Sequence, residues 1–331
     1  MAAEGVKLVA GLSDLAVMGF VEVLSRLPFF WRLEREIGRL IDGGAFDLVI
    51  PVDYPGFNLR MTERARAAGV PVVYYIAPQV WAWKAGRTAR LAQAADRVAV
   101  ILPFEEEIFR EAGGKVEFVG HPLLDTQNEL PSREEFCTLY GLDPKREILA
   151  LFPGSRRQEI RRHLNPFLDA GKLLRLRRPG LQLAIAQAEG IDLELGDQPD
   201  IATVEDARTL LSHARGAIVK SGTSTLEAAL AGTPFIVAYR THPWTFSLAR
   251  RLVRVNHVAL ANLVADDRVV PELLQDAATP SALARALLPL LDDGEERSRV
   301  VAGLAGIHSR LGHPGAARRV ARLAEEVLDQ S

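Results

Sequence analysis

Hydrophobic residues along this chain occur in short uninterrupted runs, separated by stretches in which apolar residues recur with helical spacing. Such runs are typical of parallel strands that are covered on both faces, because a strand with one wet face alternates apolar and polar positions. In the first part of the chain they predict strands at 47–53, 71–77, 97–102 and 115–120. Helical patterns at 58–68 and 104–112 lie between them, so the first domain is predicted to be α/β.

A second series of apolar runs follows a polar, proline-bearing stretch at 121–144. It predicts strands at 147–152, 181–186, 200–204, 216–220 and 234–239. From residue 281 onward only helical patterns remain. The chain is therefore predicted to form two Rossmann-like, doubly wound parallel-sheet domains, residues 1–143 and 144–312, with a C-terminal helix in 313–331.

Composition narrows the function classes. The 40 basic residues nearly balance the 42 acidic ones, so no global field favours a nucleic acid partner, and any anion site must be local. The single cysteine, Cys137, can form no internal disulfide and no thiolate metal cluster, which fits the cytoplasm. No signal peptide or membrane-spanning run of apolar residues is apparent, so we expect a protein that is neither secreted nor bilayer-spanning.

A glycine-containing turn between a strand and a helix predicts an anion site in the second domain. The segment 220–227 reads Lys-Ser-Gly-Thr-Ser-Thr-Leu-Glu. Main-chain amides around Ser221, Gly222 and Thr223 would face a diphosphate, and Glu227 would accept hydrogen bonds from ribose hydroxyls. The alternative is that Ser221 or Thr223 only caps a structural helix.

A second turn of this kind follows the first strand of the second domain. Gly154 and Ser155 allow a tight turn with exposed amides, and Arg156 offers a planar, permanently charged group for phosphate oxygens. We expect Arg156 to stabilise a departing phosphate. The Gly-Lys-Ser/Thr of a Walker loop is absent, which disfavours ATP hydrolysis.

Three groups in the first domain are further candidates. Asp53 ends a predicted strand at the edge where α/β folds bind ligands, and it is a candidate general base. Trp81 and Trp83 offer surfaces that could stack on a sugar, with core or hinge packing as the alternative. His121 follows another strand end and is a candidate sugar-facing residue, with a role in a turn as the alternative.

An apolar segment near the start of the chain is followed by Arg32, Arg35 and Arg39. The pattern suits a helix that lies at a bilayer interface, with a buried core helix as the equal alternative. The residues expected to meet lipid or an acyl acceptor are Met18, Phe20, Val21, Leu24, Phe29, Phe30 and Trp31.

Several motifs, taken in order and spacing, resemble the lipid-A-disaccharide synthase family across nearly the whole chain. They are the segments 17–24, 78–84, 102–105, 120–122, 153–156, 221–223 with Glu227, 239–240, 262–263 and 271–275. The joint occurrence is far more specific than any one of these motifs.

The resemblance implies a GT-B fold, an inverting transfer, and a last helix that packs back on the first domain. The implied donor is UDP-2,3-diacylglucosamine and the implied acceptor is 2,3-diacylglucosamine 1-phosphate, joined at the inner face of the cytoplasmic membrane. Asp53 matches the candidate base, while Arg156, the amides of 221–223, Glu227 and Asn262 would hold UDP. No metal or other cofactor is expected, and a homodimer is left open.

The chain departs from the family pattern at its start. Family members begin with a strand and a glycine-rich loop that this sequence lacks ahead of Met1, and their absence is expected to expose a strand edge. Smaller departures are Ala261 in place of a usual proline and Asp266 in place of a usual glycine. Alternatives are another UDP-N-acetylglucosamine transferase or epimerase with this fold, or a UDP-binding remnant without an acceptor site.

Overall fold

The computed structural model describes residues 5–11, 20–78, 85–126, 129–193, 195, 200–242, 246 and 257–330. These residues form two parallel sheets with helices packed on them. The predicted α/β class with two parallel-sheet domains is confirmed.

The first sheet has three strands in the order β1-β2-β3. They are β1 (Val73–Tyr75), β2 (Arg97–Val100) and β3 (Val116–Phe118). The helices of this domain are α1 (Phe20–Asp42), α2 (Pro55–Ala67), α3 (Ala85–Ala94) and α4 (Glu105–Glu111). Pro55 opens α2 because a first-turn residue needs no amide donor, and the acidic first turn of α4 complements the helix dipole.

The predicted strand at 47–53 is present only as two isolated parallel bridges to β1, Val49 to Val72 and Val52 to Tyr75. Among the described residues, the segment 47–53 pairs with the chain only on its β1 side. Ile50 and Val52 keep 43% and 44% of their surface exposed, so the apolar run that predicted a doubly covered strand instead forms an open edge.

The second sheet has six parallel strands in the order β6-β5-β4-β7-β8-β9. They are β4 (Ile148–Phe152), β5 (Gln182–Ala186), β6 (Ile201–Val204), β7 (Gly216–Lys220), β8 (Phe235–Tyr239) and β9 (Glu272–Leu274). Every position of β4 and β5 is buried, as the continuous apolar runs predict. Strand β9 escaped prediction because it is short, lies at the edge and is only half-buried.

Among the described residues, seven helices accompany this second sheet and the linker before it. They are α5 (Arg133–Tyr140), α6 (Arg157–Arg177), α7 (Ala207–His213), α8 (Ser224–Leu230), α9 (Leu260–Ala265), α10 (Pro280–Leu291) and α11 (Glu295–Arg310). The linker helix α5 starts with a capping box between Ser132 and Glu135. Arg133 ties it to the second domain by donating to the carbonyls of Pro144 at 2.8 Å and His213 at 2.6 Å.

The last helix, α12 (Ala316–Leu328), packs on the first sheet although it follows the second domain in sequence. Val320, Leu323 and Val327 form one apolar cluster with Val73 and Ala99 of β1 and β2.

Arginines on α12 fix its position along the sheet. Arg319 Nε donates to the carbonyl of Val119 at 2.8 Å, and Arg322 pairs with Glu117 at 2.7 Å. Gly120 allows this close approach, since it has φ +79° and a Cβ there would lie 3.0 Å from the carbonyl oxygen of His313.

We expect Leu323→Ala to destabilise the first domain by about 2–4 kcal/mol, because a fully buried leucine in a packed cluster is replaced by a cavity. The free energy of unfolding from urea titration measures the effect. Leu328→Ala on the same helix is the matched control, since Leu328 is 42% exposed, and its expected cost is below about 0.5 kcal/mol. Equal losses in the two variants would mean that α12 does not complete the first core.

Candidate active site

The order of strands in the second sheet reverses at β4: β5 and β6 lie on one side, and β7, β8 and β9 lie on the other. In open parallel sheets ligands bind outside the carboxyl ends of the strands at such a reversal. Phe152 pairs with Val219 in the parallel ladder of β4 and β7. The two predicted turns, 153–156 and 221–223, therefore leave the sheet next to each other.

The turn after β4 is built around Gly154, whose φ is +123°. A side chain there would be strained, and its Cβ would lie 2.7 Å from Cβ of Glu159. Arg156 is extended, and α6 begins at the next residue. The amide of Ser155 and the guanidinium of Arg156 both donate to the Glu159 carboxylate, each at 3.2 Å.

The turn after β7 contains Gly222, with φ +155° and open space where a Cβ would be, the nearest atom being Nζ of Lys220 at 3.6 Å. Ser221 is buried, and its hydroxyl donates to the carbonyl of Val258 at 2.9 Å. That hydroxyl therefore fixes the turn from its buried side, whereas Thr223 is exposed to solvent. A contact between this turn and a phosphate stays a prediction.

Glu159 links the two turns, and its role is not among those predicted from the sequence. Its Oε1 lies 2.8 Å from Nζ of Lys220, the last residue of β7, and both side chains are largely buried. Burial alone would raise the pKa of the Glu159 carboxyl, but Lys220, Arg156 and the Ser155 amide outweigh it and hold that pKa below the usual range. The i, i+3 spacing from Arg156 is the only sequence signal for this contact.

His163, one turn further along α6, joins the same assembly and also escaped prediction. Its Nε2 accepts from the amide of Arg240 at 2.9 Å, so the proton is on Nδ1, which donates to the carbonyl of Glu159 at 2.7 Å. Burial lowers the pKa of this imidazole and keeps it neutral. His163 thus fixes the start of α6 against the segment that follows β8.

Glu227 lies in the first turn of α8 and is half-buried. Burial raises its pKa above the usual glutamate value, and a hydrogen bond with Ser224 lowers it by less. Binding of ribose hydroxyls by Glu227 stays a prediction.

Asn262 is completely buried, with 0% of its surface exposed. Its Nδ2 donates to the carbonyl of Val270 at 2.9 Å and to Glu272 at 2.8 Å, and its Oδ1 accepts from the amide of Val270 at 3.0 Å. Glu272 in turn accepts from the amides of Val258 and Ala259. Through Glu272, Asn262 supports the segment that holds Ser221, and binding of UDP by Asn262 stays a prediction.

In the first domain three residues at two neighbouring strand ends have strained backbone. Asp53, Tyr54 and Ile76 have φ of 46°, 47° and 59°, which is unusual for residues with side chains and most unusual for isoleucine. The Asp53 carbonyl accepts from the Tyr74 hydroxyl and the Asn58 amide, each at 2.7 Å, and these bonds maintain the strained turn. Such strain is concentrated at functional sites.

The side chain of Asp53 has the protonation behaviour that a general base needs. Partial burial raises the pKa of its carboxyl, and a hydrogen bond from the Tyr54 amide lowers it by less. A raised pKa makes the carboxylate a better proton acceptor near neutral pH. A catalytic role for Asp53 stays a prediction.

His121 lies where the chain leaves the first sheet and is buried. Its Nδ1 accepts from the amide of Leu123 at 3.2 Å, at the start of a 3-10 turn (Pro122–Leu124), and its own amide donates to the carbonyl of Leu311 at 3.0 Å. Burial lowers its pKa to about 4. His121 therefore has a structural role in a turn, which is the alternative that the sequence leaves open.

The aromatic candidates are described in part. Trp81, Trp83 and Met18 lie outside the described residues, and the expected Phe20, Val21 and Leu24 belong to α1. Of the rest, Phe29 and Phe30 are half-buried and pack edge-to-face, with 5.5 Å between their ring centroids. Trp31 is 61% exposed. None of the helices within the described ranges is both long and apolar enough to span a bilayer.

A family model described as lipid-A-disaccharide synthetase matches residues 1–313. The lipid-A-disaccharide synthase of Geobacter metallireducens is 41% identical over 335 residues, which cover 99% of this chain and 87% of that protein. The chain belongs to the lipid-A-disaccharide synthase family. It is a glycosyltransferase of lipid A biosynthesis, as the resemblance implied.

Solved structures confirm the GT-B architecture of this family member. The glycotransferase of kitacinnamycin superposes with a TM-score of 0.60 at 15% identity and covers 98% of this chain and 88% of that chain. A UDP-GlcNAc 2-epimerase from Neisseria meningitidis, solved with UDP-GlcNAc, gives a TM-score of 0.61 at 12% identity, with coverages of 90% and 81%. At these identities the likeness concerns the fold alone.

The buried His121 should make the protein less stable in acid. Its folded pKa of about 4 lies below the ordinary histidine value of 6.5, so its contribution is complete above pH 6.5 and is lost as pH falls towards 4. The loss at pH 4 is about 3 kcal/mol, because each pKa unit corresponds to about 1.4 kcal/mol. His121→Asn, which keeps an acceptor for Leu123, should remove this part of the pH dependence in urea titrations at pH 4 to 7. The same pH dependence in both proteins would contradict the assignment.

Proposed function

We propose that the chain transfers 2,3-diacylglucosamine from its UDP derivative to 2,3-diacylglucosamine 1-phosphate. The products are UDP and a β-1,6-linked disaccharide 1-phosphate, with inversion at the sugar carbon. The observation that carries the proposal is the convergence of the Ser155 amide, Arg156 and Lys220 on one anionic position at the strand reversal. A nucleoside diphosphate requires such a set of donors.

In the proposed reaction Asp53 accepts the proton of the acceptor hydroxyl. The hydroxyl oxygen forms a bond to the anomeric carbon while the bond from that carbon to UDP breaks, and the electron pair leaves on a phosphate oxygen. Arg156 stabilises the charge that develops there, and the amides at 154–156 and 221–223 hold the diphosphate. Glu227 holds the ribose, and the exposed Thr223 borders the nucleotide.

No metal or other cofactor takes part in the proposed reaction, because two cationic side chains and main-chain amides supply the counter charge. Within the described ranges no three His, Cys, Asp or Glu side chains are grouped to hold a metal ion. Homodimer formation stays a prediction.

The proposal places the enzyme at the inner face of the cytoplasmic membrane, where both acylated substrates lie. Support comes from α1, where Trp31 is mostly exposed beside the exposed Arg32 and Arg35. An indole with neighbouring arginines suits the boundary between acyl chains and lipid phosphates.

A disaccharide-forming assay with both purified substrates tests the reaction. Arg156→Ala should lower kcat by about 10²–10³-fold, since a charged contact to the departing phosphate acts mainly in the transition state. Asp53→Asn should abolish turnover and leave the Kd for UDP unchanged. Arg157→Ala is the matched control, because Arg157 is the next residue in the chain and is also exposed. The rate of this variant should equal that of the parent. Near-parental rates for Arg156→Ala and Asp53→Asn would remove these residues from the mechanism.

Sedimentation with anionic phospholipid vesicles tests the membrane proposal. Trp31→Ser should lower the partition coefficient by about tenfold, because burial of one large apolar side chain contributes about 1.5–3 kcal/mol. The triple change of Phe29, Phe30 and Trp31 to serine should release the protein further. Leu139→Ser is the control, since Leu139 is 74% exposed on the linker helix. If Trp31→Ser and Leu139→Ser bind vesicles equally well, α1 is not the membrane contact.

A further inference from the structure

The Glu159 carboxylate occupies the position at which the proposed site would hold a phosphate. Its Oε1 is 2.8 Å from the Lys220 ammonium and 3.2 Å from the Arg156 guanidinium, and its Oε2 is 3.2 Å from the Ser155 amide. These three donors come from the turn after β4 and from the last residue of β7. A carboxylate and a phosphate oxygen are both anionic acceptors, so one can replace the other on the same donors.

The contact is more than a surface ion pair. The Lys220 and Glu159 side chains keep only 14% and 16% of their surface exposed. A cation with this little access to water needs a counter-ion, whether or not nucleotide is present. Gly154 makes room for the carboxylate, because a Cβ at that position would lie 2.7 Å from Glu159 Oε2.

The backbone of Glu159 is held independently of its side chain. Its carbonyl accepts from His163 Nδ1 at 2.7 Å, and its amide donates to the Arg156 carbonyl at 2.9 Å. The side chain can therefore rotate away from the donors while the start of α6 keeps its position.

We infer that Glu159 is a positioning residue that serves as an internal counter-anion: its carboxylate holds Lys220, Arg156 and the Ser155 amide in the empty site, and the diphosphate displaces it. The inference rests on the proposed function and adds a residue that competes with the nucleotide. Competition weakens UDP binding and, by the same amount, favours release of the UDP product. When UDP departs, Glu159 restores the ion pair and Lys220 is not left without a counter-ion.

Glu159→Gln separates competition from support, because the amide oxygen still accepts hydrogen bonds while the negative charge is lost. We expect the Kd for UDP, measured by calorimetry, to fall about fivefold, the scale of one partly buried ion pair. KM for the UDP-sugar should fall, and kcat should fall with it if release limits turnover. A residue that only supports the turns would give the opposite result, with weaker binding and a higher KM.

Asp169→Asn is the matched control, since it removes one carboxylate from the exposed face of the same helix, 3.9 Å from Lys172. Its Kd for UDP should equal that of the parent. Glu159→Asp keeps the charge but retracts it by one methylene, and its Kd should lie between those of the parent and Glu159→Gln. If Glu159→Gln does not fold, tighter UDP binding by Glu159→Asp supports the inference, and unchanged or weaker binding overturns it.

The outcomes distinguish this inference from the proposed function. Absence of UDP binding by the parent protein would overturn the proposed function itself. UDP binding by the parent with unchanged or weaker binding by Glu159→Gln would leave the proposed function intact and overturn the role of Glu159 as a competing anion.

Discussion

The parallel pairing of β4 with β7 is the constraint on which the rest of the site depends. It brings two glycine-containing turns side by side, although Gly154 and Gly222 lie 68 positions apart in the sequence, and it places Arg156 and Lys220 on the same Glu159 carboxylate. The Lys220 side chain is largely buried and needs a nearby anion, whereas the Arg156 side chain is half exposed. The Glu159 carboxylate contacts both cations, so the fold supplies a counter-charge at the place where the proposed site would hold a diphosphate.

Behind the turns, buried polar side chains determine the shape of the site without reaching its surface. Glu272 accepts from the Val258 amide and from the Asn262 side chain, and the Val258 carbonyl accepts from Ser221. Leaving one such buried group without its partner costs about 1–3 kcal/mol, so these bonds fix the position of the turn after β7. Residues that carry a family resemblance thus include some whose role is to hold the residues that make contact.

The fold followed largely from the sequence because continuous apolar runs have one common outcome, a strand covered on both faces. The run at 47–53 has the same pattern but lies at an edge, and edge position depends on tertiary partners that periodicity does not encode. The turns at Gly154 and Gly222 were predictable from local chemistry. The contacts of Glu159 with Lys220 and of His163 with Arg240 were not, because each joins elements that become neighbours only through the order of strands.

The two halves of the proposed chemistry lie on separate sheets. Asp53 is fixed to the first sheet by its strained turn, and the anion donors are fixed to the second by the β4–β7 pairing. The chain passes between the units at His121 and returns near Leu311, and a hydrogen bond joins these two crossings. Because α12 packs on the first sheet after the return, the segments around His121 and Leu311 connect the sheet that carries Asp53 to the sheet that carries the proposed anion donors.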